Sequence, residues 1–305
     1  MQFGIEVLEE FKMVLVPEVS SGPTRRNVWF RLTLPIAVLL LVAAGGGVFL
    51  KNLYRDMVYY TVIAIAQDLI SLVVVAPTLV ITGLLARRGS HRSAFVWLGV
   101  LIYLVYTYAI AAFDNQFNSL FLAYVALFGC SLYALIGGFL SLNKDAIKAC
   151  FTKRTPVRAV SFYFALLGIL FYFTWLREVI PALLAGAIPQ SVKDNGTPTN
   201  AVHVLDMAWI LPAFGIAAIN LWRRRAVGYL LAGPLLSFVV LLASAVLSMI
   251  VSMHREGYAL ILPQVVMFIA VFAIGLGMLI WYLASFESPN IVQVFNTHGV
   301  RANSK

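Results

Sequence analysis

Residues 59–88 read YYTVIAIAQDLISLVVVAPTLVITGLLARR. Between Tyr59 and Ala86 the one charged side chain is Asp68, and Arg87-Arg88 closes the run. At about 1.5 Å per residue a helix of this length crosses a hydrocarbon core of about 30 Å. The run is a membrane span with a carboxylate inside it. Such a group costs roughly 2.5–3.5 kcal/mol at mid-bilayer on insertion scales, so it is normally turned toward a bundle interior or water.

Seven further runs of the same kind flank this one, giving spans at about 32–50, 59–86, 94–113, 119–141, 159–176, 201–222, 229–253 and 259–285. The composition agrees: 61% of the 305 residues are apolar and 11% charged, against about 45–50% and about 25% in soluble domains. The expected fold is an all-α, polytopic transmembrane bundle over residues 29–286. Two cysteines, Cys130 in a span and Cys150 in a loop, exclude a disulfide scaffold. Gly45-Gly46-Gly47 near the end of the first span suits close helix packing through small residues.

The net charge of +9 suggests nucleic acid until the charges are placed. Seventeen of the 22 Lys and Arg fall at the chain ends and in the loops after even-numbered spans, among them Arg87, Arg88, Lys144, Arg154 and Arg223-Arg224-Arg225. Five lie on the other side: Lys51, Arg55, Arg177, Lys193 and Arg255. By the positive-inside rule both termini are expected in the cytoplasm, and membrane topology absorbs the whole positive excess. No nucleic-acid partner is called for.

Two segments stand apart. In residues 1–28, Phe3, Val7, Leu8, Phe11 and Leu15 share one helical face and Glu6, Glu9 and Glu10 the other. This predicts a cytoplasmic amphipathic helix, and its acidic face suits the chain's own basic loops or a partner subunit better than anionic lipid. Residues 287–305 form a cytoplasmic tail. Between spans 5 and 6, residues 177–200 form the one long outer connection, apolar to Pro189 and then polar. It is expected as a surface helix and is the one outer segment able to act as a lid.

A second carboxylate, Asp206, lies in span 6. Counting back from the arginines puts Asp68 and Asp206 at about the same depth, near the outer edge of the core. Each span runs acid, proline, arginine cluster: Asp68, Pro77, Arg87-Arg88 and Asp206, Pro212, Arg223-Arg224. That order suggests a parallel duplication of two four-span halves, with both acids facing one outer vestibule. His203 precedes Asp206 by one helical turn, Gln67 adjoins Asp68, and Tyr106 and Asn118 lie at the same depth. These six are the candidate ligand-binding residues. For Tyr103, Tyr106 and Tyr108 alone, an interfacial aromatic belt is the simpler expectation.

Taken together, Gln67-Asp68, Tyr106-x-Tyr108, Asn118-x-Leu120-Phe121-Leu122-x-Tyr124, Pro181-Ala182-Leu183-Leu184-x-Gly186, Leu205-Asp206 and Arg224-Arg225-x-x-Gly228-Tyr229 carry a resemblance. Over about residues 55–285 the chain resembles an uncharacterised family of prokaryotic multi-pass integral membrane proteins. The resemblance implies the span count and a prokaryotic plasma membrane. It implies no substrate and no catalytic role.

The sequence holds no nucleotide-binding loop, no serine elbow and no metal-ligand spacing among His91, His203, His254 and His298, so neither catalytic residues nor a cofactor is called for. A transporter or channel for a small solute, ion or proton ranks first. Against it, the acids lie near the outer edge while alternating-access sites lie near the midplane. A small-ligand receptor, sensor or accessory subunit ranks second, suited by an outer polar pocket and an acidic inner helix. A membrane-embedded enzyme using Asp68, Asp206 or His203 for proton transfer ranks third.

Overall fold

The computed structural model describes residues 28–287. The readings for residues 1–27 and 288–305 lie outside it. Eight helices are long and apolar enough to cross a membrane: α1 Val28–Phe49, α2 Val58–Arg87, α3 His91–Phe113, α4 Phe121–Leu140, α5 Val157–Leu184, α6 Ala201–Trp222, α7 Ala226–Arg255 and α8 Leu262–Ala284. The chain is an integral membrane protein. Two of these helices begin on a polar cap. Ser90 accepts from the Ser93 amide and Asn200 from the amides of Val202 and His203. Each satisfies backbone donors that the first helical turn leaves open.

Helix α3 is the centre of the bundle: 83% of its most apolar stretch is buried, against 22% for α8. It packs directly on α7. A Cβ on Gly99 would lie 2.6 Å from the Pro234 carbonyl oxygen, so only glycine lets the two backbones approach this closely. The peripheral helix α8 is pinned to α5 where the Tyr163 hydroxyl donates to the Val271 carbonyl at 2.7 Å, beside the bare Gly275.

Both α2 and α6 contain one wide π turn, Ser71–Val75 and Asp206–Ile210. The cause is the proline that follows. Pro77 and Pro212 have no amide hydrogen, and their rings collide with the carbonyl one turn back, so the ladder slips by one residue. Ala76 N–H then reaches Ser71 O, and Leu211 N–H reaches Asp206 O. Setting Pro77 on Pro212 superposes the two π turns, the helices Ala76–Arg87 and Leu211–Trp222, the left-handed turn residues Gly89 and Arg224, and the starts of α3 and α7, without a gap. The acids do not correspond under this register. Asp68 falls on His203, and Asp206 on Ser71. The α2–α3 and α6–α7 pairs share a backbone plan over this stretch, while their polar groups are placed independently.

Two sequence expectations need correction. Helix α5 does not stop at Leu176 but runs on through Arg177 and Pro181 to Leu184, followed by Gly186 with φ of 59°. No helix-breaking residue stands between Trp175 and Pro181, and a proline this near the C-terminus disturbs little of the ladder. The rest of the 177–200 connection holds a short helix, Gln190–Asn195. The aromatic belt is also absent from α3, because Tyr103, Tyr106 and Tyr108 are all buried inside the bundle.

Candidate functional site

A cavity of about 700 Å³ opens among α2, α3, α5, α6, α7 and α8 at the end of the bundle opposite the arginine clusters. Asp68, Gln67, Tyr106, His203 and Asp206 line it together. Asn118 does not. It is buried at the entry to α4, where its side chain accepts from the Leu120 amide at 2.9 Å and shapes the turn. Tyr103 is also outside the lining, its hydroxyl 3.4 Å from that of Ser71.

Each carboxylate is 7% exposed and held by neutral donors. Oδ1 of Asp206 accepts from the Tyr106 hydroxyl at 2.9 Å and Oδ2 from the Trp175 indole N–H at 2.9 Å. The π turn contributes directly, since Asp206 is its first residue and Met207 its second. The Met207 carbonyl faces the missing amide hydrogen of Pro212, and the Tyr172 hydroxyl donates to it at 2.8 Å. Oδ2 of Asp68 accepts from the Tyr54 hydroxyl, which reaches in from the α1–α2 connection. Burial, and then the adjacent Asp68, push the Tyr54 hydroxyl far above its ordinary pKa, so it stays a donor. Gly47 of α1 makes room for this pair, because a Cβ there would lie 1.7 Å from Asp68 Oδ2. Gln67 donates to the Thr107 hydroxyl at 2.8 Å.

His203 bridges the site and its cover. Its ring lies 4.5 Å from that of Trp175, and its Nε2 is buried without a hydrogen-bond partner, 3.8 Å from Glu178 Oε2. The other Glu178 oxygen accepts from the Ser191 amide at 2.8 Å, which ties the short helix Gln190–Asn195 to α5. Ser191 and Asn195 complete the lining from that side. The connection therefore covers part of the cavity mouth.

Trp175, Tyr54 and Glu178 were not among the residues singled out from the sequence. Trp175 stands two positions before Arg177 and reads there as an end-of-span aromatic. Tyr54 lies in a short connection, where a tyrosine carries no pattern.

Among the described residues neither Asp68 nor Asp206 has a Lys or Arg partner at ion-pair distance, and no three His, Cys, Asp or Glu side chains cluster as metal ligands do. The remaining wall is mostly apolar, with Phe171, Phe214, Phe238, Phe268, Met249 and Met267. The arrangement is equipped to hold a molecule.

Comparison with known proteins found no matching family model, no matching curated protein and no matching solved structure.

Proposed function

We propose that this integral membrane protein is a small-solute transporter of a prokaryotic plasma membrane, with its arginine-rich end in the cytoplasm and the cavity as its solute site. The observation that carries the reading is that Asp68 and Asp206, from different halves of the chain, line one cavity of about 700 Å³. Known small-molecule sites span about 300–1,000 Å³ and combine apolar walls with a few convergent polar groups. The two π turns support the same reading, since single π turns inside helices occur frequently at functional sites.

A receptor is the second reading. At the arginine end Phe151 packs on Tyr229 and Tyr282, with ring centroids 5.1 and 4.8 Å away, which favours a permanently closed inner end.

Access to the cavity separates the two. Met267 lines the cavity wall from α8, and Met267→Cys would be made in a chain whose Cys130 and Cys150 are replaced by alanine. A transporter exposes this thiol to a membrane-impermeant reagent from the outer face and, in a fraction of molecules, from the inner face. Labelling from the outer face alone overturns transport and leaves the receptor. Labelling from neither face overturns both.

A further inference from the structure

Building on the cavity as the solute site, we infer that its solute is an amphipathic organic cation, with the charged group held between Asp68 and Asp206 and the apolar body against Phe171, Phe238 and Phe268.

The lining carries two carboxylates that no Lys or Arg of the described chain neutralises. Tyr54 donates to one oxygen of Asp68, and no other donor reaches this carboxylate among the described residues, although it is 7% exposed. Burying a carboxylate without a cation is costly, and a cation supplied by the solute removes that cost. An anionic solute would meet both carboxylates at close range, with Arg177 the one Lys or Arg in the lining. The wall opposes an inorganic ion as well. A bare metal ion needs a shell of oxygen ligands, and among the described residues no three His, Cys, Asp or Glu side chains cluster as such a shell does, while Phe171, Phe214, Phe238, Phe268, Met249 and Met267 add aromatic faces and thioether groups to a mostly apolar wall. Those faces suit an organic cation. The face of an aromatic ring attracts an alkylated or aryl cation, and more strongly where water is excluded. The volume, far larger than any inorganic ion requires, is filled by a molecule with an apolar body.

Two probes of one shape and opposite charge test this: tetraphenylphosphonium and tetraphenylborate. Each would be equilibrated by dialysis with full-length protein in lipid nanodiscs, and uptake into empty nanodiscs subtracted. The expected result is saturable binding of the phosphonium at one site per chain and none for the borate. The paired substitution Asp68→Asn with Asp206→Asn should weaken phosphonium binding about tenfold or more, as loss of a buried charge partner does. Equal binding of both probes, or phosphonium binding unchanged by the paired substitution, overturns the inference. The comparison of probes on the unsubstituted protein stands even where the paired variant does not fold. Two-sided labelling of Met267→Cys alongside absent phosphonium binding leaves transport standing and discards the cationic solute alone.

Discussion

The indole N–H of Trp175 donates to Oδ2 of Asp206 at 2.9 Å, while Tyr106 donates to Oδ1 from the opposite side at 2.9 Å. A carboxylate in the part of α6 away from its arginine end is thus fixed by side chains of two other spans, α3 and α5. Trp175→Phe and Tyr106→Phe should each lower stability by about 1–3 kcal/mol, because each leaves a buried acceptor short of a donor. Thermal unfolding in one detergent measures both. If removal of the Asp206 acceptor by Asp206→Leu abolishes the effect of either change, the hydrogen bond is its source. An unchanged effect assigns the loss to ring packing instead.

Gly47 and Gly45 stand two residues apart and should behave oppositely. At Gly47 a Cβ would meet Asp68 Oδ2 at 1.7 Å, while at Gly45 it would meet nothing within 4 Å. Gly47→Ala must displace Asp68 or separate α1 from α2 and should destabilise by about 1–3 kcal/mol, as overpacking does. Gly45→Ala should be neutral or slightly stabilising, since alanine is the better helix former by up to about 1 kcal/mol. Equal midpoints for the two variants would contradict this contact.

Orientation is tested by two single cysteines placed at Lys193 and Asp145, in a chain otherwise free of cysteine. These positions lie at opposite ends of the bundle, one in the Gln190–Asn195 helix and one in the Lys144–Ala149 helix. An impermeant thiol reagent added to intact cells should label the Lys193 position alone. Labelling of Asp145→Cys alone would invert the topology.

Asp114 gives a pH dependence outside the spans. It caps the end of α3, and its Oδ2 accepts from the Ala201 amide at the start of α6 at 3.3 Å. Burial raises its pKa, the Ala201 bond opposes the shift, and Asp56 adds to it. The folded protein therefore holds this proton more tightly than the unfolded chain does. Stability from this group is full below the ordinary carboxylate range and declines as pH rises through the raised folded value. Asp114→Asn keeps an oxygen for the Ala201 amide and removes the buried charge. Its unfolding midpoint should exceed the parent's at pH 7, with the gap closing as pH falls below about 4. A lower midpoint at pH 7 would show that the charged bond to α6 outweighs the cost of burial.

The spans were legible because the bilayer imposes a length and a composition that few other folds satisfy. Asp68 and Asp206 stood out because a carboxylate in an apolar run is expensive. Of the partners of those acids, Tyr106 was named from its depth, while Trp175 and Tyr54 were hidden. Trp175 is apolar enough to sit anywhere along a span, so nothing in its spacing distinguishes a hydrogen-bond donor from an interfacial ring. The matching of Asp68 to Asp206 followed from a shared order of residue types, and the register set by Pro77 and Pro212 replaces it. Asn118 carried a depth but no direction, and its side chain went to a turn. The extension of α5 was obscured by Arg177 and Glu178, which read as a loop although helices tolerate both.

The wide turns also bear on how this chain can be edited. Each residue of an α-helix advances about 100° and about 1.5 Å. The extra residue held in Ser71–Val75 sets Val58–Ile70 back by roughly that angle relative to the arginine end of α2. A deletion of one residue there would barely shorten the span, and a topology assay would score it as intact. It would return the wide turn to an ordinary α turn and leave Gln67 and Asp68 on the cavity wall, whereas a deletion within Ala76–Arg87, which holds no extra residue, would rotate both by more than a quarter-turn.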